Sequence, residues 1–149
     1  PYKRPSPETA PTEAKAAGLY MIGTINRHYA DARGYADAML LDWRGYVAEA
    51  TGANVFFVQG GGLITPPADG AILNGITRQT VLEMLAARGL EVEVRPIKPE
   101  ELADFDECFL CGTAAEITPV SEIGDYRFIP GEISLGLLAD YDRLVRGQG

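Results

Sequence analysis

The stretch Gly45-Tyr-Val-Ala-Glu49-Ala-Thr-Gly52-Ala-Asn54-Val-Phe-Phe-Val58-Gln-Gly60-Gly-Gly62-Leu-Ile-Thr65 decides the fold. Short apolar runs at 46–49, 54–58 and 63–65 are separated by Thr51-Gly52 and by Gly60-Gly61-Gly62. Runs of this length between glycine reversals spell strands joined by hairpins. Residues 38–42 add a further run, turned by Trp43-Arg44-Gly45, so the spacing predicts a meander over 38–65. Downstream, Val81, Leu82, Leu85 and Ala86 recur at helical spacing and predict a helix from Asn74 through Arg88, with Thr77 in its cap region and Gly89 closing it. Residues 91–95 alternate strictly, as a half-buried strand does. A short acidic helix or turn follows at 98–103, then strands at 105–111 and 116–122 around the small-residue loop 112–115. Helices are expected at both ends. One covers 18–33, with Leu19, Ile22, Ile25, Tyr29 and Ala32 as its stripe and Gly34 as its stop. The other covers 133–146, with Leu137, Leu138, Tyr141, Leu144 and Val145 on one face. Residues 1–13, with Pro1, Pro5, Pro7 and Pro11, read as an extended arm or linker. The sum is one mixed α/β domain: a curved central sheet with flanking helices.

Composition narrows the function. Of 149 residues, 46% are hydrophobic, enough for a real core, and no run approaches the roughly 18 apolar residues of a membrane span. With no signal peptide visible, the expected compartment is the cytoplasm. The net charge of -8, from 13 basic and 21 acidic residues, and the lack of a basic patch speak against a nucleic-acid partner. Cys108 and Cys111 form a C-x-x-C, but His28 is the only histidine and lies far away, so no closed zinc site is expected. Residues three apart on a strand face opposite ways, so buried free thiols are the simpler reading.

Four local features could carry chemistry. Lys15 lies among small residues just before a helix, and is either a solvated surface lysine or a Schiff-base lysine, which needs close packing and partial desolvation. Glu49 interrupts an apolar run, and is either solvent-facing or a buried acid paired with a cationic ring nitrogen. Gly75-Ile76-Thr77 opens a helix, where free N–H groups and the helix dipole favour an anion. Gly112-Thr113-Ala114-Ala115 is a tight turn or a loop whose amides approach a phosphate or carboxylate. A nucleotide-type glycine loop and a G-x-S-x-G are both absent.

In this order, the segments Ala14-Lys15-Ala-Ala-Gly18-Leu-Tyr20, Gly45 to Phe56, Leu63-Ile-Thr65-Pro-Pro67, Ile72-Leu73-Asn-Gly75-Ile76-Thr77-Arg78 and Cys111-Gly112-Thr113-Ala114-Ala115-Glu116-Ile117-Thr118-Pro119 resemble the C-terminal domain of fold-type IV pyridoxal phosphate enzymes. The resemblance is to branched-chain amino acid aminotransferases, and it implies a pseudo-barrel-like sheet with flanking helices. It also implies roles. Lys15 would hold pyridoxal 5'-phosphate as an internal aldimine and shuttle the substrate proton. Glu49 would pair with the ring nitrogen, Tyr20 with the phenolic oxygen, and Leu73 would pack on the ring. Ile76, Thr77 and Thr113 would bind the phosphate. Gly112, Thr113 and Ala114 would face the phosphate or the substrate carboxylate.

The implied reaction exchanges an amino group between L-leucine, isoleucine or valine and 2-oxoglutarate. Related activities of the same fold are D-amino acid aminotransferase and aminodeoxychorismate lyase, and a cofactor-binding fragment without turnover is a further alternative. Asn74 stands where many relatives have Pro, and Cys111 where Ser or Thr is common, which would place an oxidisable thiol beside the cofactor loop. The family's N-terminal domain, which supplies an arginine and aromatics to the pocket, is absent from this chain. Residues 1–13 would then be the interdomain arm and 14–149 the cofactor-binding domain, working as a homodimer or higher homo-oligomer without metal, nucleic acid or membrane.

Overall fold

The strand β3 (Asn54–Gln59) is the axis of the molecule, whose computed structural model describes residues 1–147. It pairs antiparallel with β4 (Gly62–Thr65) across the glycine reversal and, on its other edge, with β6 (Glu107–Gly112). The sheet is completed by β5 (Val92–Val94) and β7 (Glu116–Pro119) in the order β5-β4-β3-β6-β7. β3 is a continuous apolar run because both its faces are covered. Phe56 and Val58 enter one core with Leu63, Phe109, Ile117 and the helix residues Val81, Leu85, Leu137 and Tyr141. Val55 and Phe57 enter the other with Val47, Ile64, Ile97, Phe105 and Phe128. Each core is centred on an aromatic pair: Phe56–Phe109 at 5.2 Å and Phe57–Phe105 at 4.7 Å.

Two helices, α2 (Ile76–Ala87) and α3 (Glu132–Val145), pack on this sheet, while α1 (Ala17–Asp31) lies against the turn at Thr51. α2 is the crossover that lets β4 and β5 run parallel. A 3-10 turn at Pro99–Asp104 stands where the acidic turn is expected, and buries Leu102. The mixed α/β architecture is as expected.

Several local expectations are corrected. The meander is broken. β1 (Met39–Leu41) and β2 (Val47–Ala50) form a separate two-stranded sheet, because β3's two hydrogen-bonding edges are taken by β4 and β6. The run 116–122 divides into β7 and β8 (Glu122–Ile123) at Pro119, which has no N–H to continue the ladder. β8 turns at Gly124 (φ +57°) into β9 (Tyr126–Arg127). β5 is an edge strand whose Val94 is 49% exposed, so only Val92 reaches the core. On α3, Leu137 and Tyr141 are buried but Leu144 and Val145 are not.

The stripe expected on α1 is not core-facing. Its buried residues are Asn26 and Ala30, while of the expected stripe Leu19 and Ile22 are half-buried and Ile25, Tyr29 and Ala32 are exposed. Asn26 exchanges hydrogen bonds with the backbone of Tyr2: its Nδ2 donates to the Tyr2 carbonyl (3.0 Å) and its Oδ1 accepts from the Tyr2 amide (3.1 Å). Residues 1–13, read as a linker, are thus docked along α1 and the β1–β2 sheet, where the Arg4 amide donates to the Leu41 carbonyl (2.8 Å).

Cys108 and Cys111 are both free and buried, one in each core, as their spacing on β6 requires. No helix among the described residues is long and apolar enough to cross a membrane.

Candidate functional site

A cavity of about 460 Å³ opens where α1, β2, the start of α2 and the loop after β6 converge. Each residue singled out from the sequence lines it. Lys15 lies just before α1 and Tyr20 in its first turn, Glu49 comes from β2, Leu73 from the approach to α2, and Ile76 and Thr77 from its first turn. Gly112, Thr113 and Ala114 come from the β6–β7 turn.

Glu49 is 7% exposed, and both its oxygens have partners. Its Oε1 lies 2.9 Å from Arg4 Nη1. Its Oε2 accepts from Asn54 Nδ2 and from the Leu73 amide, each at 3.2 Å. Burial pushes its carboxyl up to about 7, with the Arg4 charge and the Leu73 N–H pulling the other way. The solvent-facing alternative is excluded.

Asn54 also donates to the Leu73 carbonyl (2.9 Å), so one amide joins the acid to the chain that leads into α2. Gly75 follows directly. A Cβ there would lie 2.8 Å from Asn54 Oδ1, so any larger residue would have to displace the Asn54 amide. Gly75, rather than Thr77, is the N-cap of α2, and no side chain caps the helix. The first-turn amides are therefore left facing the cavity. Arg78 adds a buried cation beneath them. Its guanidinium donates to Asn74 Oδ1 (2.9 Å) and the Pro66 carbonyl (3.1 Å), Nε has no partner, and no carboxylate pairs with it among the described residues. The side chain of Asn74 is thus held in place.

The Gly112 turn closes the cavity against the turn after Glu49: a Cβ on Gly112 would meet the Gly52 carbonyl at 3.0 Å and Ala53 Cβ at 3.3 Å. Cys111 is fully buried behind it. Burial pushes its thiol up to about 12, with Arg78 opposing, which leaves little thiolate.

Lys15 departs from expectation in another way. It lines the cavity but is exposed, so the close packing a nucleophilic lysine needs is not supplied by the described residues. Tyr20 is likewise 48% exposed and Ile76 82%.

Arg4, Asn54 and Arg78 have functional placements that the sequence reading did not single out. Asn54 had a signal, as a polar residue opening the apolar run 54–58. Arg4 had none beyond its charge, because its partners lie 8 to 67 residues away.

The chain that forms this cavity has counterparts among known proteins. The chain belongs to the class IV aminotransferases, since the family model described as Amino-transferase class IV matches residues 1–123. Within that family its relatives are of the branched-chain type. It is 40% identical over 149 residues to a probable branched-chain-amino-acid aminotransferase of Rickettsia conorii, covering 97% of this chain and 51% of the relative. The branched-chain aminotransferase of Thermoproteus uzoniensis with norvaline superposes with a TM-score of 0.95 at 40% identity, covering 98% of this chain and 49% of that one. That of Thermobaculum terrenum in its PLP form does so at 0.94 and 39%, covering 99% and 50%. The chain spans about half the length of the relatives it matches.

Proposed function

We propose that this chain is the cofactor-binding part of a pyridoxal 5'-phosphate-dependent aminotransferase that moves the amino group of leucine, isoleucine or valine to 2-oxoglutarate. One observation carries the reading: a single cavity joins a buried, hydrogen-bonded carboxylate, an uncapped helix N-terminus over a buried cation, and a lysine at the rim. This donor set suits a flat cationic ring that carries a phosphate. When bound, such a cofactor supplies an electron sink for the bond breaking at the substrate Cα.

The protein residues do the rest. Lys15 holds the cofactor and moves a proton at the substrate Cα. Glu49 keeps a proton on the ring nitrogen. Tyr20 would hydrogen-bond the phenolic oxygen, and Leu73 would pack on the ring. The amides of Ile76 and Thr77 and the Thr113 hydroxyl would bind the phosphate at the positive end of α2. Gly112, Thr113 and Ala114 orient the substrate carboxylate. The exposure of Lys15 and Tyr20 fits a site completed by a further protein segment, which would cover the rim and exclude water. We place residues 1–13 at that junction and 14–149 in the cofactor domain, assembled as a homodimer or larger in the cytoplasm.

The relatives named above favour branched-chain substrates over the other activities of the fold. The test is a substrate panel on the complete polypeptide: leucine, D-alanine and aminodeoxychorismate. Turnover of leucine dependent on 2-oxoglutarate is expected. Turnover of either of the others without leucine contradicts the substrate assignment.

A further inference from the structure

We propose that Arg4 is a positioning residue for Glu49, fixing both the orientation and the charge of that carboxylate in the cavity. The inference rests on the functional reading above and extends it to the Pro-rich arm.

The geometry is specific. The Arg4 side chain is 11% exposed and spends its guanidinium in three directions. Nε donates to the Ala71 carbonyl (2.8 Å), Nη2 to the Thr12 carbonyl (2.9 Å), and Nη1 meets Glu49 Oε1 at 2.9 Å. The two carbonyls, one from the arm and one from the approach to α2, set the plane of the fork, so the third direction is fixed on the acid. A lysine could bring the charge but not three rigid directions. The amide of the same residue is bonded to Leu41, which anchors the arm's backbone as well.

The need for such a partner follows from burial. A carboxylate out of water takes up a proton unless a cation and hydrogen bonds hold its charge. Asn54 and the Leu73 amide serve Oε2, and Arg4 alone serves Oε1 with full charge. The other titratable groups on the cavity wall are Lys15 and Tyr20 from the start of α1 and Cys111 from β6. Burial keeps the Cys111 thiol protonated. Arg4 is the only ion-pair partner of Glu49 among the described residues. A ring cation is retained by a carboxylate, not by a neutral acid, so Arg4 decides whether Glu49 performs its role.

The test uses the complete polypeptide loaded with pyridoxal phosphate labelled with nitrogen-15 in the ring. Its resonance separates protonated from neutral ring nitrogen and is followed across pH in the unsubstituted, Arg4→Met and Arg4→Lys proteins. Cofactor Kd is measured alongside. In Arg4→Met the protonation midpoint should fall by about one pH unit or more, the effect of losing an adjacent opposite charge, and Kd should rise about tenfold. Arg4→Lys should recover most of the midpoint but not all of the affinity. If Arg4→Met does not fold, Arg4→Gln replaces it, keeping a donor for the arm without the charge. An unchanged midpoint in the neutral variants, or Arg4→Lys as impaired as they are, overturns the proposal and leaves Arg4 an anchor of the arm. Failure of the unsubstituted protein to bind the cofactor overturns the functional reading instead, and this inference with it.

Discussion

Glu49 is an acid that folding makes weaker, and this has a measurable consequence. Its carboxyl stands near 7 in the fold against an ordinary 4.5, because burial outweighs the Arg4 charge. Between those values the folded chain binds more protons than the unfolded one, so stability falls as pH rises. The contribution is whole below about 4.5 and gone above about 7, a difference of roughly 3 kcal/mol. Denaturant melts of the cofactor-free chain at pH 4 to 8 should show this slope, and Glu49→Gln should flatten it. Parallel curves for the two proteins would mean that Glu49 does not titrate in this window. The thiols offer a second check at this scale. Cys108 and Cys111 are buried and protonated, so a thiol reagent should label neither in the folded chain and both in denaturant. Fast labelling of Cys111 in the native protein would contradict its burial.

Elements are held in place by polar groups that are distant in sequence. α3 has no cap from its own N-cap residue, Gly131, which carries no side chain. Glu107 of β6 does that work: its Oε2 accepts from the Gly131 amide (3.0 Å), the Ser134 amide (3.0 Å) and Ser134 Oγ (2.5 Å). Glu107→Ala should therefore cost roughly 2–4 kcal/mol, read as a lower denaturation midpoint, and Glu107→Gln less. Gly75→Ala is the corresponding test at α2. Its Cβ would strike Asn54 Oδ1, so the substitution should destabilise by about 1–2 kcal/mol and weaken cofactor binding by disturbing the link to Glu49. Elements defined by local periodicity were legible in the sequence. Val81 and Leu85 mark α2, and the run from Val55 to Val58 marks β3. Pairing was less legible, because β2 parts from β3 on account of β6, a strand about fifty residues further on. The α1 stripe misled for a related reason: Ile25, Tyr29 and Ala32 have the spacing of a buried face but are exposed, and spacing does not say what covers it.

For the whole molecule, the site was legible where chemistry-bearing residues interrupt a pattern, as Glu49 interrupts β2 and Gly75 opens α2. It was illegible where the contribution is a long-range bond. Arg4 sits in a Pro-rich segment with no periodicity, and only the folded chain brings it to Glu49 and Ala71. The docked arm makes residues 1–13 part of the fold, so deleting them should lower the denaturation midpoint as well as cofactor affinity. Lys15 is exposed and carries no ion pair among the described residues, so Lys15→Ala should leave the melting curve within about 0.5 kcal/mol of the unsubstituted chain while abolishing covalent cofactor attachment. The central claim is that this lysine holds the cofactor. The direct measurement is borohydride reduction of the pyridoxal phosphate-loaded polypeptide followed by peptide mass spectrometry. The account predicts a phosphopyridoxyl mass on the peptide containing Lys15 and its loss in Lys15→Ala. A label on Lys3, on Lys98 or on no peptide of this chain would contradict it.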